Sequence, residues 1–275
     1  MSRASSPLQP DALAHYTNAA AQLVDYPELG SPEHEARMRE RQSRMLDAIR
    51  NGQWSTLSWA DETTPAFIQL AHDAQSIIDL GAEAGFYAAL ALQTSAKLQT
   101  LQLVEPDPVY VAQLRASFAS SHREIDQSPV EIDVHEAAAG ASHGTLRLTK
   151  PRGLSATAAQ VDGVVINVPM TTIDQLNEQS PSQLIKIDIE GAEAAALAGA
   201  VRTMHTHHPR ILMEFHPWAD TIVPNSRERI RTIAHDAGYT IYRFQPDGRA
   251  TKTDRIGGRL YLHPPGTPSP AWCDA

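Results

Sequence analysis

Between Ser76 and Leu92 the chain reads S-I-I-D-L-G-A-E-A-G-F-Y-A-A-L-A-L, and this stretch restricts the fold more than any other. Ile77-Ile78-Asp79-Leu80 is an apolar run of strand length with a carboxylate near its end. Gly81 and Gly85 bracket a tight turn, where the absence of Cβ permits positive φ and lets a ligand approach the backbone. From Phe86 the pattern becomes helical, with Phe86, Ala89, Leu90 and Gln93 on one face. Strand, glycine turn and helix in that order open a doubly wound α/β domain that carries a nucleotide-like ligand above the turn. The same letters also suit an ordinary strand-to-helix turn with two structural glycines, so other segments must decide.

The rest of the chain repeats the alternation. Leu101–Val104 is a second strand that runs into Glu105-Pro106-Asp107-Pro108, and Tyr110, Leu114 and Phe118 mark the helix after it. Val130–Val134 alternates apolar with acidic residues, the pattern of a half-exposed strand near a sheet edge. Thr145–Thr149 and Val164–Val168 read as an inserted hairpin, and Thr171–Leu176 begins a short helix. Leu184–Asp188 and Ile211–Phe215 are further buried strands, with a helix of small residues from Glu193 to Ala200 between them. Tyr239–Phe244 and Arg259–Leu262 close the sheet as an antiparallel pair. This is a Rossmann-like α/β sheet, expected to have seven mostly parallel strands. Helices predicted over about 11–26 and 32–51 form a cap over its edge. The organisation is therefore an N-terminal helical extension (1–65), the α/β domain (66–263) and a Pro-rich tail (264–275).

Charge excludes several partners. Lys and Arg number 23 against 32 Asp and Glu, a net charge of −9, which is the wrong sign for nucleic acid or an anionic membrane. No run approaches the ~20 apolar residues that span a bilayer, and the start lacks a signal-peptide core. The single cysteine, Cys273, gives no disulfide evidence for secretion, so a cytoplasmic location is expected.

The turn also discriminates between nucleotides. A dinucleotide site needs glycine at the second position of G-x-G-x-x-G, and Glu83 stands there, where it would repel a pyrophosphate. There is no G-K-[ST] for a P-loop. NAD, FAD and ATP are disfavoured, whereas S-adenosyl-L-methionine, which is cationic and free of phosphate, tolerates Asp79 and Glu83. Glu105, 24 residues after Gly81, stands where an acid accepts both ribose hydroxyls. Asp107 is a candidate adenine or ribose contact, and Glu136 with Ala137, after the third strand, lies on the adenine side.

The segments D-L-G-A-E-A-G-F-Y, V-E-P-D-P, T-T-I-D-Q-L, L-I-K-I-D-I-E-G-A-E and P-R-I-L-M-E-F, in that order, resemble the FkbM family of S-adenosylmethionine-dependent methyltransferases over residues 75–262. The usual family turn is similar to G-A-N-x-G, with Glu83 here in the Asn place. The resemblance implies a class I methyltransferase fold and O-methylation, often of a hydroxyl on a sugar or natural product. It also implies a cofactor site at Asp79, Gly81, Glu83, Gly85, Phe86, Glu105, Pro106, Asp107, Glu136, Ala137 and Asp188.

Methyl transfer from a sulfonium is an in-line displacement, aided by positioning and by a base for the acceptor hydroxyl. Candidates sit at the C-terminal ends of the strands: Asp188 and Glu190 after the fourth, Glu214 and His216 at the fifth. Asp188 and Glu190 are read as the core of the site and His216 as the base, since imidazole titrates near neutrality. Lys186 shares a strand face with Asp188 and is expected to pair with an acid. Mg²⁺ on these carboxylates is conceivable but not favoured, because the spacing fixes no octahedral set. N-methylation and a non-catalytic binding module, assembling as a homo-oligomer through the N-terminal helices, are the competing readings.

Overall fold

The computed structural model describes residues 31–118, 129–151, 163–178 and 180–274. The helix predicted over 11–26 and the loop of the inserted hairpin lie outside these residues.

The elements run α1 (Pro32–Arg50), a 3₁₀ turn (Trp54–Thr56), α2 (Thr64–His72), β1 (Ser76–Leu80), α3 (Phe86–Thr94), β2 (Thr100–Glu105) and α4 (Pro108–Phe118). Then come β3 (Glu131–Glu136), β4 (Ala138–Ala139), β5 (Gly144–Pro151), β6 (Gly163–Thr171), α5 (Ile173–Leu176), β7 (Leu184–Ile187), α6 (Glu193–Ala198) and α7 (Val201–Thr206). The chain continues through β8 (Arg210–Phe215), α8 (Ala219–Ile222), α9 (Ser226–Asp236), β9 (Thr240–Phe244), β10 (Ala250–Lys252) and β11 (Gly258–His263).

The main sheet has the order β10-β9-β11-β8-β7-β1-β2-β3. β1 pairs in parallel with β2 on one side and with β7 on the other. The order therefore reverses at β1, and crevices for ligands open above the carboxyl ends at such a point. β11 lies antiparallel between β8 and β9. The sheet has eight strands rather than seven because Gln245-Pro246-Asp247-Gly248 is a turn that folds β10 back on β9. β3 occupies the edge, as its acidic alternation implies.

Strand alternation sorts the core into two layers. Ile77, Leu101, Leu103, Leu184 and Leu212 face α1–α4 with Met45, Phe67 and Leu90. Ile78, Leu80, Ile185, Ile187 and Met213 face the other side with Leu197, Met204 and Ile230. Met45 and Ile49 of α1 belong to the first layer, so the described part of the N-terminal extension shares the core of the α/β domain. The Pro-rich end is packed as well: Trp272 stacks on Phe244 at 5.2 Å, and its carbonyl accepts the Ala250 N–H. The hairpin β5–β6 joins β4 in a separate three-stranded sheet whose Leu146 and Leu148 lean over the carboxyl end of β2. Among the described residues no helix is long and apolar enough to cross a membrane.

Candidate active site

The turn after β1 is held from below and from behind. The Gly81 and Ala82 N–H groups both donate to the Val104 carbonyl, at 2.9 and 3.2 Å. Gly81 has φ +80°, and a Cβ there would sit 1.9 Å from the Asp188 carbonyl oxygen, so β1 and the end of β7 approach each other only through glycine. The Glu105 carboxylate accepts the Glu83 N–H at 3.0 Å and the Asp107 N–H at 2.8 Å, which ties the end of β2 to the turn. Glu83 itself adopts φ +46°. Its side chain accepts Trp59 Nε1–H at 3.3 Å and the Tyr110 hydroxyl at 2.9 Å, with Arg41 3.9 Å away. Arg41 in turn covers the Trp59 ring at 4.1 Å, and the Gln42 amide donates to the Ala84 carbonyl at 2.9 Å. Segment 41–59 thus clasps the turn.

Two cavities of about 190 Å³ each meet at Gly81, Glu83 and Asp188. The first is walled by Val104, Pro106, Ala137, Leu146 and Leu148, with four carboxylates, Glu83, Glu105, Asp188 and Glu190, and among the described residues no Lys or Arg in its lining. Such a wall rejects phosphate and suits a ligand with a flat apolar part and positive charge. The second is framed by Trp59, Phe86, Tyr87, Asp61, Glu214, Lys186 and Arg259.

The charges between them form one chain. The Lys186 ammonium, 3% exposed as a residue, lies 3.2 Å from Asp188 Oδ2 and 4.7 Å from the Tyr87 ring centre. Burial opposes that ammonium, but Asp188, Tyr87 and Asp79 outweigh it and hold it firmly charged. Burial would likewise raise Asp188, yet Lys186 and His216 keep its carboxyl below the usual range. Glu214 lies above its usual range through burial and the nearby Asp188, against the pull of Arg259. Arg259 spans the far side, 2.8 Å from Asp61, 3.2 Å from Glu62 and 3.3 Å from Glu214. His216 is buried, with Nδ1 2.8 Å from Glu193 and Nε2 3.7 and 3.6 Å from Asp188 and Glu190.

The structure brings Gly81, Glu83, Glu105, Pro106, Ala137, Asp188 and Glu190 around the first cavity, and places Phe86 in the second. Other expected contacts lie elsewhere. Asp79 is buried beneath the turn opposite Lys186 and lines neither cavity. Gly85 backs onto Leu114 and Phe118. Asp107 caps α4 by accepting the Val109 N–H, the ordinary task of an acid ahead of Pro at a helix start. Glu136 is exposed on the edge strand and pairs with Arg115 at 3.5 Å. His216 sits behind the two cavities rather than in either wall. Burial opposes its charge, but Glu193, Glu190 and Asp188 raise its pKa to about 9, so it carries its proton near neutrality instead of standing ready as a base. Asp188, Glu214 and His216 present ligand atoms within 4.8 Å of one another. Lys186 and the imidazolium already balance that cluster's charge, so no metal role is assigned to it.

Trp59, Asp61, Tyr87, Tyr110, Glu193 and Arg259 were not singled out by sequence. Arg259 carried a usable signal, a cation on the same strand face as the buried Tyr261.

These buried groups make stability depend on pH in one direction. Desolvation lifts Asp79 and Glu190 to about 7 and Glu105 to about 8, while His216 stands at about 9. All four bind protons more tightly folded than unfolded, so stability falls as pH rises. The carboxyl contributions are lost from above the ordinary carboxylate range up to about 8, and the His216 contribution between 6.5 and about 9. The ligand-free chain should melt several degrees lower at pH 9 than at pH 5.5 by scanning calorimetry. A flat or rising melting temperature across that range would contradict the assignment.

The sequence matches the profile described as the Methyltransferase FkbM domain over residues 79–241. Among solved structures it is similar to the methyltransferase FkbM of Methylobacillus flagellatus, with 19% identity and a TM-score of 0.47 over 92% of this chain and 60% of that one. The present chain thus spans about three fifths of that relative's length. Aeropyrum pernix fibrillarin, solved with natively bound S-adenosyl-L-methionine, aligns at 13% identity and TM-score 0.43 over 72% of this chain and 73% of its own. The magnesium protoporphyrin IX methyltransferase of Synechocystis, solved with bound S-adenosylmethionine, aligns at 12% and 0.37 over 94% and 98%. No curated protein matches the sequence.

Proposed function

Because the chain belongs to the FkbM methyltransferase family, we propose that it transfers the methyl group of S-adenosyl-L-methionine to a hydroxyl of a small molecule of sugar or natural-product type. The observation that carries this reading is the pair of cavities that share Asp188 in their walls. One has acids and apolar walls with, among the described residues, no cation, which fits a phosphate-free, positively charged cofactor. The other offers aromatic and charged groups to an acceptor.

The fit to the cofactor rests on this chain's own groups. Glu105, buried at the end of β2, keeps acceptor capacity beyond its two backbone donors and can take the ribose hydroxyls. Val104, Pro106, Ala137 and Leu148 offer the adenine an apolar slot, and Glu83, Asp188 and Glu190 face the cationic end. When bound, the cofactor supplies an electrophilic methyl on a sulfonium. Asp188, lining both cavities, orients the acceptor hydroxyl. Glu214, whose carboxyl lies above its usual range, would take the proton of the acceptor hydroxyl. Lys186 and protonated His216 keep Asp188 anionic during this step.

Calorimetric titration tests the reading. S-adenosylmethionine should bind with micromolar affinity and NADH should not. Glu105→Gln, which exchanges a carboxyl acceptor for an amide, should weaken the cofactor by about 2–10-fold, the worth of the ~0.5–1.5 kcal/mol of one ordinary hydrogen bond. Absence of heat at millimolar S-adenosylmethionine would defeat the proposal, leaving a non-catalytic binding module. Incubation with methyl-labelled cofactor and cell extract, followed by mass spectrometry, identifies the acceptor and distinguishes O- from N-methylation.

A further inference from the structure

Behind the two cavities lies a carboxylate that the mechanism has not used. Glu193, the first residue of α6, is completely buried (0% exposed). Its Oε1 accepts the Gly191 N–H at 2.9 Å and lies 2.8 Å from His216 Nδ1. Its Oε2 is buried and has no hydrogen-bond partner among the described residues. A carboxylate removed from water at this cost needs a compensating charge, and the imidazole is the group placed to supply it.

The geometry also fixes the ring. An oxygen that already accepts one N–H acts as acceptor toward Nδ1, so Nδ1 carries hydrogen and Nε2 is aimed between Asp188 Oδ1 and Glu190 Oε2, at 3.7 and 3.6 Å. Trp218 closes the side: its ring centre lies 4.8 Å from the imidazole, and its indole N–H donates to the Glu190 carbonyl at 3.2 Å. Every packed element contributes charge here. Asp188 and Glu190 follow β7, Glu193 opens α6 and Glu214 ends β8, while Lys186 and Arg259 lie beyond Asp188 and Glu214.

We propose that Glu193 is a positioning residue for methyl transfer, holding the His216 ring in place as an imidazolium and thereby aiming the Asp188 carboxylate at the junction of the two cavities. This rests on the reading of Asp188 given above. The arrangement works as carboxylate, imidazolium, carboxylate in series, with the first wholly enclosed and the last facing the ligands. Sequence alone hides it, because Glu193 reads as an ordinary acid in the first turn of a helix.

The test needs no acceptor. In the full chain labelled at histidine, the His216 ring is assigned by the resonance that disappears in His216→Asn and is titrated by NMR from pH 5 to 10. The wild type should titrate near 9 with hydrogen on Nδ1. Glu193→Gln should lower that midpoint by ~2 pH units, and Glu193→Asp, which keeps the charge, should recover part of it. Calorimetry at pH 7.5 should show S-adenosylmethionine bound ~10-fold more weakly by Glu193→Gln. An unchanged His216 midpoint, or a shifted midpoint with unchanged cofactor affinity, overturns the proposal. Should Glu193→Gln fail to fold, His216→Gln takes over the affinity test, and wild-type affinity there overturns it equally. If the wild type binds no S-adenosylmethionine, the functional reading fails while the titration still judges the Glu193–His216 pair.

Discussion

Gly81→Ala is expected to cost ~3–5 kcal/mol of stability, combining a strained φ with overpacking against backbone that cannot swing aside. The added methyl would lie 1.9 Å from the Asp188 carbonyl oxygen, far inside van der Waals contact. For a chain of this size that is a fall of roughly 5–10 °C in melting temperature. Gly52→Ala supplies the control, since Gly52 has φ +69° and a Cβ there would meet nothing within 4 Å among the described residues. It should show the conformational cost alone, ~1 kcal/mol. Equal melting temperatures for the two variants would mean that β1 and the end of β7 can part without penalty. The same substitution at Gly81 should abolish S-adenosylmethionine binding, because separating the strands pulls Glu83 and Asp188 out of the wall they share.

The second large effect comes from Asp188. Asp188→Ala strips the partner from a buried ammonium, and breaking such a pair costs about 3–5 kcal/mol. Lys186→Met in the same chain removes the stranded charge, so the double variant should recover most of that stability by denaturant unfolding. Activity should not recover: methyl transfer to the acceptor identified by labelling should remain ~10²-fold below wild type, the cost of a misplaced acceptor. The double variant thereby separates the two roles of Asp188. Were both properties restored together, Asp188 would be a structural counter-ion and nothing more.

Much of the fold was legible because it follows from local pattern. Apolar runs of strand length became β1, β2, β7 and β8, and the acidic alternation at 130–134 became the edge strand. The glycine turn, Glu105 and the stretch from Lys186 to Glu190 stand at the carboxyl ends of adjacent strands, where a doubly wound sheet collects its ligands. Other placements follow from partners that local pattern does not carry. Asp107 was read as a contact when its immediate neighbour Pro108 makes it a helix cap. Glu136 ends its strand level with Glu105, but at the sheet edge Arg115 takes it. The charge on His216 arises because the pairing of Ile187 with Met213 sets the residues after β7 against the end of β8, which brings three acids around one ring. Arg259 meets Asp61 and Glu62 across nearly 200 positions, a separation beyond any motif.

The clasp on Glu83 bears on how this chain could be recombined with its relatives. Arg41, Gln42 and Trp59 precede the family-matched region at 79–241, yet they hold the turn that partitions the two cavities. A chimera joined at the domain's apparent start would keep the sheet and inherit a foreign partition. The two cavities would then be tuned by different ancestors, so the crossover point belongs upstream of α1.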